Sequence, residues 1–276
     1  MANSYVTDHA LASRLEFAEA KANVASIEAR RAADPEVGAA WIERDRTFAL
    51  FDGPGSPLTQ TFGLGMAGAP TSTTLDEIEE FFAARGAATM HETCPLADPS
   101  LLHLLPERGY RPIEQSTVLF QPLNTTTHAK RDLSRDVHVR TVGPDDFVVW
   151  STTAARGWSD TPELAQFMLD FGRSYVSARG MTAFIGECDG VAAGAAALSI
   201  QGNVALLGGA STAPEFHRRG LQTELLHARL AYGASVGCEL AMMVASPGSG
   251  SQRNAERREF RIAYTRTKWA LANQRA

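Results

Sequence analysis

Two spacings of apolar residues alternate along this chain. Between residues 8 and 31, Leu11, Leu15, Ala18, Ala22, Ala25 and Ala29 recur at helical intervals with charge elsewhere. That spacing predicts an amphipathic, alanine-rich helix able to pack closely. Asp34-Pro35-Glu36 reads as an N-cap, a first-turn proline and a first-turn acid, so a short helix is expected through Trp41. The period then shortens. Residues 47–51 and 58–66 predict strands, parted by Asp52-Gly53-Pro54-Gly55-Ser56-Pro57, whose residues demand special φ or lack an N–H. Thr74 with Glu77 has capping-box spacing. Leu75, Ile78, Phe81 and Phe82 then form a helix face that Gly86 stops. Residues 88–94 alternate as a strand, Asp98-Pro99 opens a short helix through Leu105, and residues 115–120 form a further strand. His91 and Glu92 fall on opposite faces of one strand and cannot pair with each other; a hydrogen-bonded structural histidine is expected.

Residues 124–136 are polar, with Thr125-Thr126-Thr127 and mixed charge, and read as a domain boundary. Beyond them, residues 137–142 alternate as a strand. Gly143-Pro144-Asp145-Asp146 turns into a helix from Phe147 to Arg156. Gly157-Trp158-Ser159-Asp160 interrupts, and Thr161 with Pro162 starts a helix to about residue 178. Three strands follow at 182–188, 191–200 and 204–212, joined by Asp189-Gly190, a two-residue hairpin signal, and by Gln201-Gly202-Asn203. A helix runs from Gly220 to Gly237. A strand at 238–246, a loop with a short helix at 247–260 and a strand at 261–270 complete the order.

The stretch with the clearest chemistry joins the 204–212 strand to the next helix. It reads Ala210-Ser211-Thr212-Ala213-Pro214-Glu215-Phe216-His217-Arg218-Arg219-Gly220-Leu221-Gln222-Thr223. Pro214 cannot continue a ladder. A helix N-terminus offers unpaired N–H groups and the positive end of the helix dipole. The amides of residues 218–223 could therefore surround a phosphate or pyrophosphate. Gly220 lets the backbone approach an anion with no Cβ in the way. There is no Gly-Lys-Ser/Thr of a P-loop and no second and third glycine of a dinucleotide fingerprint.

This segment resembles the acetyl-CoA-binding turn of the GNAT N-acetyltransferases, Arg/Gln-x-x-Gly-x-Gly/Ala after Pro-Glu-Tyr/Phe. His217 stands where the family has Arg or Gln, and Gln222 where it has a small residue, setting a bulkier side chain beside the pyrophosphate. The order of elements resembles the family in both halves. The resemblance implies an α+β (α/β) fold of two GNAT-like domains, each a mostly antiparallel mixed sheet flanked by helices. Residues 1–123 would be a degenerate copy that does not bind CoA, since residues 65–70 carry no arginine. Residues 137–276 would be the acetyl-CoA-binding copy. Ala210, Ser211 and Thr212 would pair with the pantetheine arm, and His217, Arg218, Arg219, Gly220, Leu221, Gln222 and Thr223 would take the pyrophosphate. Asn254 matches an asparagine that reaches the CoA arm in many members, while Glu259-Phe260 replaces the family's Gly-Phe. Trp158 falls on the loop that commonly walls the acceptor site.

Composition narrows the partners. A net charge of −5 argues against a general nucleic-acid binder. The two arginines of the turn suit a small polyanion better. Cys94, Cys188 and Cys238 are far apart and have no metal-ligand spacing, so reduced thiols, a reducing compartment and no metal are expected. The first 20 residues show no basic start followed by an apolar run, and no stretch is long enough to span a bilayer, so a cytoplasmic protein is expected.

Acetyl transfer to an amine needs the thioester held near the nucleophile, a donor for the carbonyl oxygen, and routes for two protons. The resemblance implies that an N–H near Thr212 polarises the carbonyl. The tyrosine with which many members protonate the departing sulfur is missing from its usual place. Tyr264 is then the acid suggested by chemistry, and Ser211 a group that could orient a water. The expected activity is N-acetyl transfer from acetyl-CoA to a small-molecule or protein amine by direct attack on the thioester, with a homodimer open to it. The alternative is an acyl-CoA-binding regulatory module without catalysis.

Overall fold

The computed structural model describes residues 5–123, 136–143 and 146–271. Most of the 124–136 boundary and the Pro144-Asp145 part of the next turn lie outside the described residues. The chain divides into two compact units, one built from residues up to Gln121 together with those from Val244 onward, the other from Pro122–Met243.

In the first unit, α1 (His9–Ala33) begins where the Asp8 carboxylate accepts from the Leu11 amide at 2.9 Å. The short helix expected through Trp41 is a single 3-10 turn, Pro35–Val37, stopped by Gly38 at φ 67°. Trp41 lies instead on β1 (Ala40–Arg44), paired antiparallel with β2 (Thr47–Phe51). The hairpin turns on Asp45 and Arg46, both at positive φ without a glycine, so no ordinary turn signal marked this strand. β3 covers only Gln60–Phe62, because Gly63 and Gly65 turn the chain at φ 78° and 74°. The cap of α2 (Ser72–Ala83) is Thr71, whose hydroxyl accepts from the Thr74 amide at 3.1 Å; Thr74 spends its own hydroxyl on Asp45. After β4 (Met90–Thr93), α3 (Leu101–Glu107) and β5 (Tyr110–Pro122), the chain leaves this unit.

It returns for α7 (Gly250–Glu256) and β11 (Arg261–Leu271). The domain division read from the sequence groups these residues with the second half. In the structure β11 pairs antiparallel with β4 on one side and β5 on the other, giving the strand order β1-β2-β3-β4-β11-β5. Residues 244–271 cluster with the first unit for that reason. α1 packs on the face carrying Phe48 and Leu50, and α2 on the face carrying Ala49 and Phe51, as the alternation of a strand requires.

The second unit runs β6 (Val137–Val142), α4 (Phe147–Gly157), α5 (Pro162–Ser177), β7 (Met181–Cys188), β8 (Val191–Gln201), β9 (Val204–Thr212), α6 (Leu221–Ser235) and the start of β10 (Leu240–Ala245). Its strand order is β10-β9-β8-β7-β6, antiparallel except for β9 with β10. Asp189 and Gly190, at φ 52° and 76°, make the expected two-residue hairpin. Trp150 and Ala154 of α4 and Val176 of α5 bury Ala183, Ile185, Ala195 and Ala197. α6 lies over Gly186 and Gly194, where a Cβ would stand 2.5 and 3.4 Å from Leu221 Cδ2.

Candidate active site

β9 is held on both sides for only part of its length. With β10 it pairs at Val204, Ala205 and Leu206, and the pairing stops there. With β8 it pairs to Thr212 through a bulge, because Ala195 faces Ser211 whereas Ala197 faces Gly208. Gly209 takes φ 59° inside the bulge. From Leu207 to Thr212 the strand therefore has no partner on its β10 side among the described residues. The Ala213 amide donates to Ala193 O at 2.9 Å. By the alternation of the antiparallel ladder, the amide and carbonyl of Thr212 then face away from β8, toward that open edge.

The open edge leads into the basic turn. Pro214–Phe216 forms one 3-10 turn, Arg218 sits at φ 65°, and Gly220 at φ 86° starts α6. Among the described residues, no backbone carbonyl outside the helix accepts from the amides of Arg218, Arg219, Gly220, Leu221 or Gln222. The next amide, that of Thr223, donates to Gly220 O at 2.9 Å. A Cβ at Gly220 would meet nothing within 4 Å, so the space beside it is open.

The polar side chains of the turn brace it. The His217 ring donates from Nε2 to Thr212 O at 3.0 Å, and the Gln222 amide donates to Thr212 Oγ1 at 2.8 Å. Gln222, which breaks the family pattern, thus reaches back to the strand end. Arg219 donates to Asp189 of the β7–β8 hairpin at 2.8 Å, and that bond raises its pKa. Arg156, at the end of α4, binds Glu215 and donates to Ala192 O. Glu215's own amide, and then the bond from Arg156, lower the carboxyl's pKa. Arg218 is exposed and pairs with no carboxylate among the described residues.

The other candidates separate. Ser211 is buried and donates to Ala154 O at 3.0 Å, which ties β9 to α4. Ala210 is half-buried on the open edge. Trp158 ends α4 half-buried, with its indole N–H enclosed and without a partner among the described residues. Asn254 is exposed on α7, whose cap is Ser249, accepting from the Gln252 amide. Tyr264 is on β11 in the first unit, buried, its hydroxyl donating to Glu16 at 2.8 Å. Burial pushes that phenol well above its ordinary pKa. His91 donates or accepts through Nδ1 at Thr61 Oγ1, 2.8 Å away, and burial pulls its pKa down to about 3, so it is neutral.

Two residues at this edge escape sequence reasoning. Gly157 comes so close to β9 that a Cβ would stand 2.4 Å from Ser211 Cβ and 2.8 Å from the Thr212 nitrogen. Arg156 clamps the turn. Both sit beside Trp158 in sequence, and only the packing of α4 on β9 reveals them. All three cysteines are buried and free, and no group of metal-binding side chains occurs among the described residues. No described helix is long and apolar enough to cross a membrane.

The family model for the Acetyltransferase (GNAT) family matches residues 147–260, from α4 to the residue before β11. No curated protein matches the chain. Among solved structures, a GCN5-related N-acetyltransferase from Kribbella flavida superposes with a TM-score of 0.62 at 18% identity, covering 89% of this chain and 95% of that one. A tandem GNAT protein from the clavulanic acid biosynthesis pathway gives 0.58 at 14% identity, covering 81% and 77%. A putative GNAT-family acetyltransferase from Novosphingobium aromaticivorans gives 0.52 at 19% identity, covering 88% and 95%. At these identities the likeness is one of fold. Residues 147–260 thus match the acetyltransferase (GNAT) family, within a chain whose fold is that of GNAT structures.

Proposed function

We propose that the chain moves an acetyl group from acetyl-CoA to an amine, by direct attack of the amine on the thioester. One observation carries this reading: β9 runs on past its last β10 pair with an open edge, and that edge ends at a set of unpaired amides around Gly220. An extended ligand arm can add to such an edge as a strand. A pyrophosphate suits the amides of residues 218–222, the αL glycine with open space beside it, and the exposed Arg218. Bound acetyl-CoA would supply the activated acetyl carbonyl.

The chain's own residues do the rest. Ala210 and Thr212 hold the arm through their main chain, while Ser211, paired with Ala195, keeps its own amide and carbonyl on the β8 side. The Thr212 amide, facing the open edge, is a donor for polar groups on it. His217 and Gln222 keep the strand end and the helix start together, so the donors are placed before the ligand arrives. Ser211 positions the strand through Ala154 and does not need to touch the reacting atoms. Trp158 lines the acceptor side with its indole N–H. The amine's proton leaves to solvent. The acceptor is a small-molecule or protein amine.

Calorimetric titration with acetyl-CoA, followed by free-thiol release across a panel of amines, tests the reading. Gly220→Val places a β-branched residue at φ 86°, which costs about 1–2 kcal/mol, and crowds the anion. Acetyl-CoA affinity should fall by about tenfold or more. Equal affinity in this variant, or tight binding with no turnover on any amine, would remove the proposal.

A further inference from the structure

Acyl transfer as described leaves one polar group at β9 unused. Tyr175 lies on α5, half-buried, with ring contacts to Phe171 and Trp150 at 5.3 and 5.4 Å between centroids. Its hydroxyl has no hydrogen-bond partner among the described residues. It lies against the main chain of β9: a Cβ at Gly208 would stand 2.8 Å from that oxygen and within 4 Å of nothing else. At Gly209 a Cβ would lie 3.3 Å from the Tyr175 ring. The two glycines border the bulge, and they let the phenol reach backbone level.

The neighbours of this point are arranged around it. The Trp150 indole donates to Ala196 O at 3.0 Å, which satisfies the carbonyl opposite the bulge. Arg229 of α6, 4% exposed, forms no ion pair among the described residues. It donates to Leu225 O at 3.1 Å and directs Nη1 to Ala197 O and Gly208 O at 3.4 and 3.5 Å. A buried cation without a counter-ion favours negative charge nearby, because little water screens it.

The placement along β9 gives the hydroxyl its role. The basic turn stands at one end of the open edge, and Gly208 stands near the other, two residues beyond the last β10 pair at Leu206. A ligand anchored at Gly220 and laid along that edge brings its far, reactive end toward Gly208. We propose that the Tyr175 hydroxyl donates a hydrogen bond to the thioester carbonyl oxygen as that oxygen gains negative charge, forming an oxyanion site with a main-chain N–H of the β9 bulge. This rests on the acyl-transfer reading above. The amine nitrogen forms its bond to the carbonyl carbon, the π pair moves onto the oxygen, then returns as the C–S bond breaks and its electron pair goes to sulfur. The proton lost by the amine reaches that sulfur through solvent. Tyr175 keeps its own proton throughout. Burial pushes the phenol up to about 12 although the Arg229 charge opposes this, so it remains a donor across the neutral range.

The test is the carbonyl stretch of carbonyl-labelled [13C]acetyl-CoA, read by isotope-edited infrared spectroscopy on the full chain, with calorimetry alongside. On the wild-type protein the stretch should move to lower wavenumber on binding. Tyr175→Phe keeps the ring and should lose most of that shift, with affinity changed less than about twofold and kcat lowered about 100-fold. Gly208→Ala is the second variant, because its methyl group meets only the Tyr175 hydroxyl and should displace it. It should reproduce the lost shift even if Tyr175→Phe proves unstable. A wild-type protein that binds no acetyl-CoA sinks the acyl-transfer reading itself. Binding with the same shift in wild type and both variants overturns the role of Tyr175 alone and leaves that reading intact.

Discussion

Glu16 shows how far a single ionisation in this protein departs from its ordinary behaviour. It is 1% exposed; one carboxyl oxygen accepts from Tyr264 at 2.8 Å and lies 3.6 Å from Arg266 Nη1, and the other has no partner among the described residues. Arg266 also meets Glu19 at 2.7 Å and Glu92 at 2.8 Å, so three carboxyl groups share one guanidinium. Burial, and then the charges of Glu19 and Glu92, push Glu16 from 4.5 up to about 7 against the pull of Arg266. The folded state thus binds this proton more tightly than the unfolded chain does. Its contribution is complete below about pH 4.5 and is lost as pH rises through about 7. That shift corresponds to about 3 kcal/mol. Glu16→Gln removes the titration, so wild-type stability should decline relative to the variant between pH 5 and pH 8, by up to that amount. Urea unfolding of both proteins across this range measures it, and a constant difference would contradict it. Nothing in the sequence near Glu16 announces partners 248 positions away. The sequence around Tyr264 offers it as an acid for the same reason: its chemistry is local, but its partner Glu16 is not.

Elements were legible where their signals are local. β2, β6 and β9 have the bounds expected of them, and Gly220, Gly237 and the Asp189-Gly190 turn act where their special φ requires. β1 carries no turn signal because Asp45 and Arg46 take positive φ without glycine, and the cap that the Thr74-Glu77 spacing suggests is provided by Thr71. The turn from β9 to α6 is readable as a helix start with free amides and a left-handed glycine. The bracing around it is not, because Arg156, Asp189 and Thr212 come from three other elements. At this scale the sharpest expectation concerns Gly157. Its missing Cβ lets α4 lie on β9, so Gly157→Ala forces the helix off Ser211 and the Thr212 amide. Overpacking of this kind costs about 1–3 kcal/mol. Denaturant unfolding should show the loss, and acetyl-CoA binding should weaken with it. An alanine variant as stable and as tightly binding as wild type would mean that α4 does not set this edge.

For the whole molecule, the consequential feature is the membership of the last strand. β11 follows the second unit in sequence and pairs inside the first, between β4 and β5, where it contributes Tyr264 and Arg266 to the buried cluster. A chain ended after residue 260 leaves β4 and β5 each without that neighbour and leaves Glu16, Glu19 and Glu92 without their cation. Removing one member of a buried charge group is strongly destabilising, about 3–5 kcal/mol. The truncated protein should lose amide protection in α1, β4 and β5, as hydrogen exchange would record; native protection there would show that the first unit does not need the strand.

Local order alone determined most helices and most strands, the glycine that opens α6 and the basic turn before it, since backbone sterics and periodic burial act over a few residues. Tertiary structure decided the company those residues keep: the bulge that brings Tyr175 to Gly208, the approach of Gly157 to Thr212, and the return of β11 to the first unit. Such meetings depend on how strands pair and helices pack across long separations, and spacing along the chain carries no record of them.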